Sequence, residues 1–196
     1  MVPEALRLEP LHRASPRDLE PTLSVLVGSP QGVRRCQATG ADLHLQLPSS
    51  LEDAADALAE TLADHPAVTP WFPSVLIGAD YAAAVTFLRR TQPARIVTNN
   101  TGIAVEADRG GIPWIAGPEL NTANSYTLQC LKERFRCSGA FLSNELNRRQ
   151  IQRITPPASF ALYYRMFHPI LLLTSRQCLF HQVTGCDQDR LDETCL

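Results

Sequence analysis

Short runs of apolar residues alternate along the chain with longer segments in which apolar residues recur every three or four positions. Short runs of this kind predict buried strands, and the longer pattern predicts amphipathic helices. The clearest helix is 51–65, for which Ser50 is the expected N-cap. The other predicted helices are 81–90, 121–135 and 144–154. The predicted strands are 22–27, 42–47, 74–78, 95–99, 113–116, 139–142, 160–164 and 170–174.

Strands that are almost wholly apolar and alternate with helices favour parallel pairing, with both faces of the sheet buried. Seven or eight such units in a row predict an α/β fold of the TIM-like (β/α) barrel type. We expect the barrel to be incomplete, because the chain has 196 residues and such barrels typically need ~250. The alternative that the pattern leaves open is a doubly wound, open α/β sheet.

Three regions are expected along the chain. Residues 1–20 are an irregular lead-in interrupted by prolines, and residues 21–174 form the barrel-type domain. Residues 175–196 form a cysteine-rich segment that stops one residue after its last cysteine, so we expect it to be cut short.

The composition is that of a globular protein, with 44% hydrophobic and 19% charged residues. A formal net charge of −2 excludes a polycation that coats nucleic acid, although a local basic patch stays open. No apolar run reaches the ~20 residues that span a bilayer, and the first residues do not form a signal peptide. We therefore expect a cytoplasmic protein without a membrane partner.

Three of the six cysteines lie within the last nineteen residues, at Cys178, Cys186 and Cys195. Thiolates are the soft ligands that select iron–sulfur clusters and zinc, so this spacing predicts metal ligation. The hypotheses are a cluster completed by a further ligand, a zinc site that uses His181, and three cysteines without metal. The remaining cysteines are interpreted as buried structural residues. They are Cys36, Cys130 and Cys137.

Polar residues follow the predicted strands, where α/β folds place their binding groups. The candidate substrate-binding residues are Asn99, Asn100, Asn121, Asn124, Ser125 and Asn144. Amides and hydroxyls at such positions can bind a base edge or a polar small molecule, but they also serve in turns and helix caps. The candidate catalytic residues are Glu145, His168 and Arg176. For Glu145 the alternative is charge at the start of a helix, and for His168 it is a packed core position.

Several short motifs together resemble the collagenase-like peptidase family. They are Ile96-Val-Thr-Asn-Asn-Thr-Gly102, Gly117-Pro-Glu-Leu-Asn-Thr-Ala-Asn-Ser125, Leu142-Ser-Asn-Glu-Leu146, His168-Pro169 and Ser175-Arg-Gln-Cys178. The resemblance extends over residues 22–196 and implies a β/α barrel. Some members of the family are described as peptidases or collagenases. Others hydroxylate ribosomal RNA, transfer RNA or the ubiquinone ring and hold a 4Fe–4S cluster through four cysteines.

The run from Ser175 to Gln182 is most similar to the branch that forms 5-hydroxycytidine in ribosomal RNA. This resemblance implies that Cys178, Cys186 and Cys195 are cluster ligands and that ribosomal RNA is the substrate. The fourth ligand would come from a missing C-terminal segment or a partner chain. Two other hypotheses stay open, namely a peptidase and a non-catalytic module that binds zinc or only a partner.

Overall fold

The computed structural model describes residues 20–169 and 178–186 of the chain. These residues divide into two compact units, with the boundary between Arg165 and Met166. The first unit contains a sheet and its helices, and the described part of the second contains one short helix. The predicted lead-in, apart from Glu20, and the predicted strand 170–174 lie outside the described residues.

Seven strands form one sheet in the first unit, and every neighbouring pair is parallel. The strands follow one another across the sheet in chain order, and the sheet curls into a half-barrel. The strands are β1 (Ser24–Val27), β2 (Asp42–Gln46), β3 (Thr69–Phe72), β4 (Ile96–Thr98), β5 (Trp114–Ala116), β6 (Gly139–Phe141) and β7 (Ala161–Tyr163). The predicted α/β class with parallel pairing is confirmed.

Helices connect successive strands, and right-handed crossovers between adjacent parallel strands place such helices on one face of the sheet. In the first unit they are α1 (Pro30–Cys36), a 3₁₀ turn (Gln37–Thr39), α2 (Ala55–Asp64), α3 (Ala79–Thr91), α4 (Thr101–Arg109), α5 (Ser125–Phe135) and α6 (Arg148–Ile151). Helix α7 (Leu179–Thr184) belongs to the second unit. None of the helices in the described ranges combines the length and hydrophobicity needed to cross a bilayer.

Alternate strand residues point to the two faces of the sheet, so each face has its own apolar layer. The layer under the helices is the larger one and includes Leu45, Phe72, Ile96 and Leu128. The second layer lies inside the curl of the sheet. It consists of Trp71, Val97, Ile115 and Phe141, with Leu26 and Tyr163 packed against it. We call this second layer the inner layer.

The largest error of the sequence analysis is the third strand. The strand predicted at 74–78 is wrong, because those residues are irregular and the strand is Thr69–Phe72. Pro70 lies inside this central strand, and proline lacks the N–H that a sheet ladder uses. Pro70 therefore opposes strand formation by local rules, and burial on both faces makes the segment a strand.

Several helix boundaries also differ from the prediction. Helix α2 begins at Ala55 rather than at 51, and the predicted cap Ser50 is not its N-cap. The predicted helix 144–154 is reduced to Arg148–Ile151, which Asn147 caps through a reciprocal capping box with Gln150. Helices α1 and α4 were not predicted, although Ser29 with Pro30 and then Asn100 supply ordinary helix-start signals.

Gly139 permits the close approach of β6 and β7, and this yields a stability prediction. A Cβ atom at this position would lie 2.8 Å from the carbonyl oxygen of Ala161. We expect Gly139→Ala to lower the free energy of unfolding by about 1–3 kcal/mol, measured by urea denaturation. Gly28→Ala is the control, since a Cβ there has no atom within 4 Å. Equal stability of the two variants would contradict the tight β6–β7 contact.

Candidate functional site

Parallel strands all end at the same side of the sheet, and polar residues collect there. We call this side the carboxyl edge and define it by the residues at or just after the strand ends. They are Gln46, Asn99, Gly117, Glu119, Ser143 and Arg165. Binding groups of α/β folds lie at this side of their sheets, so it is the candidate site.

Arg165 follows β7 and lies over the inner layer. Its guanidinium carbon is 5.9 Å from the centre of the Trp71 ring, which is the geometry of a cation–π contact. Burial lowers the pKa of Arg165, and the negative charge of Glu119 acts in the opposite direction. Among the described residues, no carboxylate lies within the 4.0 Å of an ion pair with Arg165. The half-buried cation is therefore available to an anionic or planar ligand.

Three aromatic rings form the centre of the inner layer. The rings of Trp71 and Phe141 lie 4.6 Å apart and are tilted, and Tyr163 stacks on Phe141 at 4.7 Å. Trp71 and Phe141 are both 5% exposed, whereas Tyr163 is half-buried. Burial raises the pKa of the Tyr163 hydroxyl, so the residue stays neutral. Tyr163 and Arg165 are thus the members of this group that a ligand can contact.

His44 lies below these rings and is 1% exposed. Its ring meets Trp71, Phe141 and Tyr163 edge-on, with centroids 6.0, 5.8 and 6.5 Å away. Neither ring nitrogen has a hydrogen-bond partner among the described residues, and Nε2 is 3.7 Å from an Asp42 carboxylate oxygen. Burial lowers the pKa of His44 to about 4 despite the attraction of Asp42, so the ring is neutral at pH 7.

The opposite, amino side of the sheet is also polar. Both Asp42 carboxylate oxygens accept hydrogen bonds from Arg95 Nη2, at 2.5 and 2.6 Å, and Arg95 Nε donates to Thr69 Oγ1 at 2.9 Å. A depression of about 460 Å³ borders this pair, lined by Thr22, Leu23, Gly40, Ala41, Asp42 and Arg95. The charges there are already paired, and this end of a parallel sheet serves stability rather than binding. The carboxyl edge remains the better candidate.

The six asparagine and serine candidates differ in how their side chains are used. Asn100 caps α4, where its Oδ1 accepts from Ile103 N and its Nδ2 donates to Ser74 O. Asn124 caps α5 through Thr127 N, and Ser125 Oγ accepts from Thr155 N at 2.8 Å. These side chains stabilise helix ends and loops, which agrees with the alternative that such residues serve in turns and helix caps.

The remaining candidates are placed as follows. Asn99 lies at the carboxyl edge, and its Oδ1 accepts from Glu119 N at 3.1 Å. Asn121 is exposed and has a left-handed backbone with φ of 55°, and Asn144 and Glu145 are exposed in a turn. His168 belongs to the second unit, where its Nδ1 contacts Pro169 O at 2.8 Å. Arg176 lies outside the described residues.

Two of the three predicted metal ligands are described, and both belong to the second unit. Cys178 and Cys186 are free, half-buried thiols at the two ends of α7. The backbone N–H of His181 donates to Cys178 Sγ at 3.4 Å, and His181 Nδ1 contacts the carbonyl oxygen of Cys186. Cys195 lies outside the described residues, and within them no group of three or more metal-ligating side chains is assembled. In donor type the two thiols fit a thiolate-ligated metal, and they would be two of its ligands.

The other cysteines differ from one another. Cys137 is buried, its thiol donates to Gly139 O at 3.0 Å, and burial raises its pKa to about 11. Cys36 is half-buried and packs against the core. The expectation that Cys130 is buried is wrong, because it is exposed on α5 while Leu128 on the same helix is buried. The apolar neighbours that suggested burial belong to a different side of the helix.

Comparisons of this chain with protein-family models, with curated proteins and with solved structures give no match. The residues and their geometry therefore have to support any function assigned to the carboxyl edge.

Three residues of this region were not predicted from the sequence, namely Trp71, His44 and Arg165. Trp71 was hidden by the misplaced third strand, whereas Glu119 falls just after a predicted strand, where binding residues were expected. His44 and Arg165 had a usable signal, because each falls on the inner side by two-residue alternation along β2 and beyond β7. A lone buried histidine in an apolar strand is the clearest such signal.

The buried, unpartnered ring of His44 predicts a pH-dependent stability. The unfolded chain takes up a proton near pH 6.5, whereas the folded protein resists protonation until about pH 4. Lowering the pH from 7 to 5 should therefore reduce the free energy of unfolding by about 2 kcal/mol through this residue. His44→Phe should remove that part of the loss in urea denaturation at both pH values. His65→Phe, at a half-buried site beside Gln37, should retain it. If His44→Phe lost as much free energy of unfolding between pH 7 and pH 5 as the wild type does, His44 would not be the source of the pH dependence.

Proposed function

We propose that this chain is part of an iron–sulfur enzyme that hydroxylates a pyrimidine of ribosomal RNA, with formation of 5-hydroxycytidine as the specific reaction. The observation that best supports the proposal is the half-buried Arg165 above Trp71 at the carboxyl edge, which has no ion-pair partner among the residues that the structure describes. A guanidinium can stack on a base and bind a phosphate, and a nucleotide presents both groups.

The architecture supports a barrel of the TIM-like type as the parent fold. The strand order β1 to β7 contains no reversal, whereas a doubly wound sheet reverses at its ligand-binding crevice. In a barrel, the residues that follow the strands converge on one mouth. We propose that the carboxyl edge is part of such a mouth.

The residues at the edge match the groups of a nucleotide. Tyr163 offers a half-buried aromatic ring next to Phe141, and aromatic rings stack on unpaired bases. Asn99 and Gln46 offer amides, which bind polar atoms on a base. The exposed carboxylate of Glu119 adds one hydrogen-bond acceptor.

The cysteines supply the cofactor part of the proposal. Cys178 and Cys186 would hold a 4Fe–4S cluster together with Cys195 and a ligand from outside this chain. A bound cluster would supply electron transfer. The N–H of His181 that contacts Cys178 Sγ is a hydrogen bond of the kind that tunes cluster potentials.

The overall reaction replaces the C5–H bond of cytosine with a C5–OH bond, which is a two-electron oxidation. An oxygen-atom donor inserts one oxygen atom into the C–H bond and leaves in reduced form, so no proton is gained or lost overall. The residues of the carboxyl edge bind and orient the base. The apolar inner layer excludes water from the face of the base that lies against it. A ribosomal RNA substrate would place this activity in the cytoplasm.

The peptidase hypothesis has less support at this edge. A peptidase of the serine or cysteine type needs a nucleophile that a base activates. Ser143 is the hydroxyl at the carboxyl edge, and its Oγ accepts the backbone N–H of Glu145 at 3.4 Å. That contact orients a turn and does not activate the oxygen.

Zinc is the second candidate for the cysteine segment, and one observation favours it. His181 Nδ1 contacts the carbonyl oxygen of Cys186, so Nε2 is the ring nitrogen that would bind a metal. Zinc-binding histidines commonly hold their second nitrogen against a carbonyl oxygen in this way. A non-catalytic zinc module would then be the function of the second unit.

Metal analysis of anaerobically purified protein distinguishes these two cofactors. We expect iron and sulfide with a broad absorption band, and we expect Cys178→Ala and Cys186→Ala each to reduce the iron content by at least half. Cys130→Ala is the control, because this thiol is exposed and belongs to the first unit. Stoichiometric zinc without iron would favour the zinc module, and equal metal loss in all three variants would contradict a specific site.

Ribosomal RNA from cells that lack the gene tests the reaction. We expect 5-hydroxycytidine to disappear from the nucleosides detected by mass spectrometry and to return when the wild-type gene is supplied. Arg165→Met should restore less than a tenth of the modification, because it removes the charge over Trp71. Arg34→Met, at an exposed position on α1, should restore it fully. Unchanged 5-hydroxycytidine in the deletion strain would refute the proposed reaction.

A further inference from the structure

Asn99 and Asn100 are adjacent asparagines at the end of β4, and the structure uses their amides differently. Both polar atoms of the Asn100 amide have a partner, because its oxygen accepts from Ile103 N and its nitrogen donates to Ser74 O. Asn99 uses only its oxygen, which accepts from Glu119 N at 3.1 Å. Within the described part of the chain, the amide nitrogen of Asn99 has no hydrogen-bond acceptor. Asn99 therefore retains a donor for a ligand.

The orientation of the Asn99 amide is fixed from two sides. A backbone N–H can only donate, so Glu119 N selects the oxygen of the amide and turns the nitrogen away. The amide also lies directly on Gly117, where a Cβ atom would be 1.9 Å from Oδ1 and 3.0 Å from Nδ2. Only glycine leaves room for this arrangement. The backbone N–H of Asn99 continues the sheet by donating to Phe72 O at 3.4 Å.

This geometry restricts what Asn99 and Arg165 can bind together. The Asn99 oxygen already accepts from Glu119 N and lies against Gly117, so the polar group that Asn99 offers a ligand is its N–H donor. The guanidinium of Arg165 offers only donors. Glu119 links the two, since its N–H holds Asn99 and its carboxylate acts electrostatically on Arg165. A ligand recognised by this pair must turn hydrogen-bond acceptors toward it. The acceptor side of a pyrimidine base and a phosphate together meet that requirement.

We propose that Asn99 is a specificity-determining residue that donates a hydrogen bond to a carbonyl oxygen or ring nitrogen of the pyrimidine, with Glu119 and Gly117 as its positioning residues. This inference rests on the proposed function, because it names the residue that recognises the base at the same carboxyl edge.

Calorimetric titration of the full chain with cytidine 5′-monophosphate and with ribose 5-phosphate tests the assignment. Asn99→Asp keeps the oxygen that accepts from Glu119 and replaces the donating nitrogen. The new carboxylate repels the phosphate of both ligands alike, whereas only cytidine 5′-monophosphate loses a hydrogen bond to its base. We therefore expect the variant's affinity for cytidine 5′-monophosphate to fall at least ~10-fold more than its affinity for ribose 5-phosphate. Asn147→Asp makes the same chemical change at a helix cap and should bind both ligands as the wild type does.

A second variant leaves Asn99 in place and displaces it. Gly117→Ala should reduce cytidine 5′-monophosphate affinity as Asn99→Asp does, because the new methyl group occupies the position of the amide. Gly110→Ala is its control, since a Cβ there meets its nearest atom at 3.4 Å. Thermal unfolding of each variant separates loss of recognition from loss of fold.

The outcomes distinguish the two proposals. If the wild-type chain binds cytidine 5′-monophosphate and Asn99→Asp binds it equally well, the role of Asn99 is refuted and the proposed function stands. An equal loss of both ligands in Asn99→Asp also refutes base recognition by this residue. If the wild-type chain binds neither ligand, both the inference and the nucleotide site at the carboxyl edge are refuted.

Discussion

A parallel sheet whose strands follow chain order has its helices on one face, so the strands themselves must fill the other face. Here that requirement is met by Trp71, Val97, Ile115 and Phe141, which close the inside of the curl. The amino side is closed by a different interaction, because Arg95 extends past β3 to reach Asp42 at the start of β2. The inner layer is apolar, and the charges on the amino side of the sheet are paired with each other. The polar groups that a ligand can contact therefore lie at the carboxyl edge.

The strands were predictable where composition and spacing agreed. Asp42–Gln46, Ile96–Thr98 and Trp114–Ala116 all lie within predicted strands. The second and third are almost wholly apolar, the first alternates polar and apolar residues, and turn-forming residues follow each of them. Thr69–Phe72 was not predictable by these rules, since Pro70 opposes strand formation locally and is tolerated only through tertiary burial. The strand order and the curl were also outside the reach of local patterns, because they depend on pairing between distant segments.

The candidate site was predictable in position and only partly in residues. The rule that strand ends hold binding groups led directly to Asn99, whereas the same rule selected Asn100 and Asn124, whose amides serve as helix caps. Sequence cannot separate these neighbours, because the difference lies in which backbone N–H each oxygen faces. Glu119 and Arg165 become related only through folding, since they are far apart in the chain and act on each other across the edge.

The buried thiol of Cys137 has a practical consequence. A neutral, enclosed sulfur whose hydrogen is held by Gly139 O does not react with alkylating reagents, because the thiolate is the reactive species. Cys130 on the surface is open to the same reagents. The rate at which Cys137 itself becomes labelled, measured on its own peptide, would therefore report how often β6 separates from its neighbours, and the native chain would serve as its own reporter of local opening.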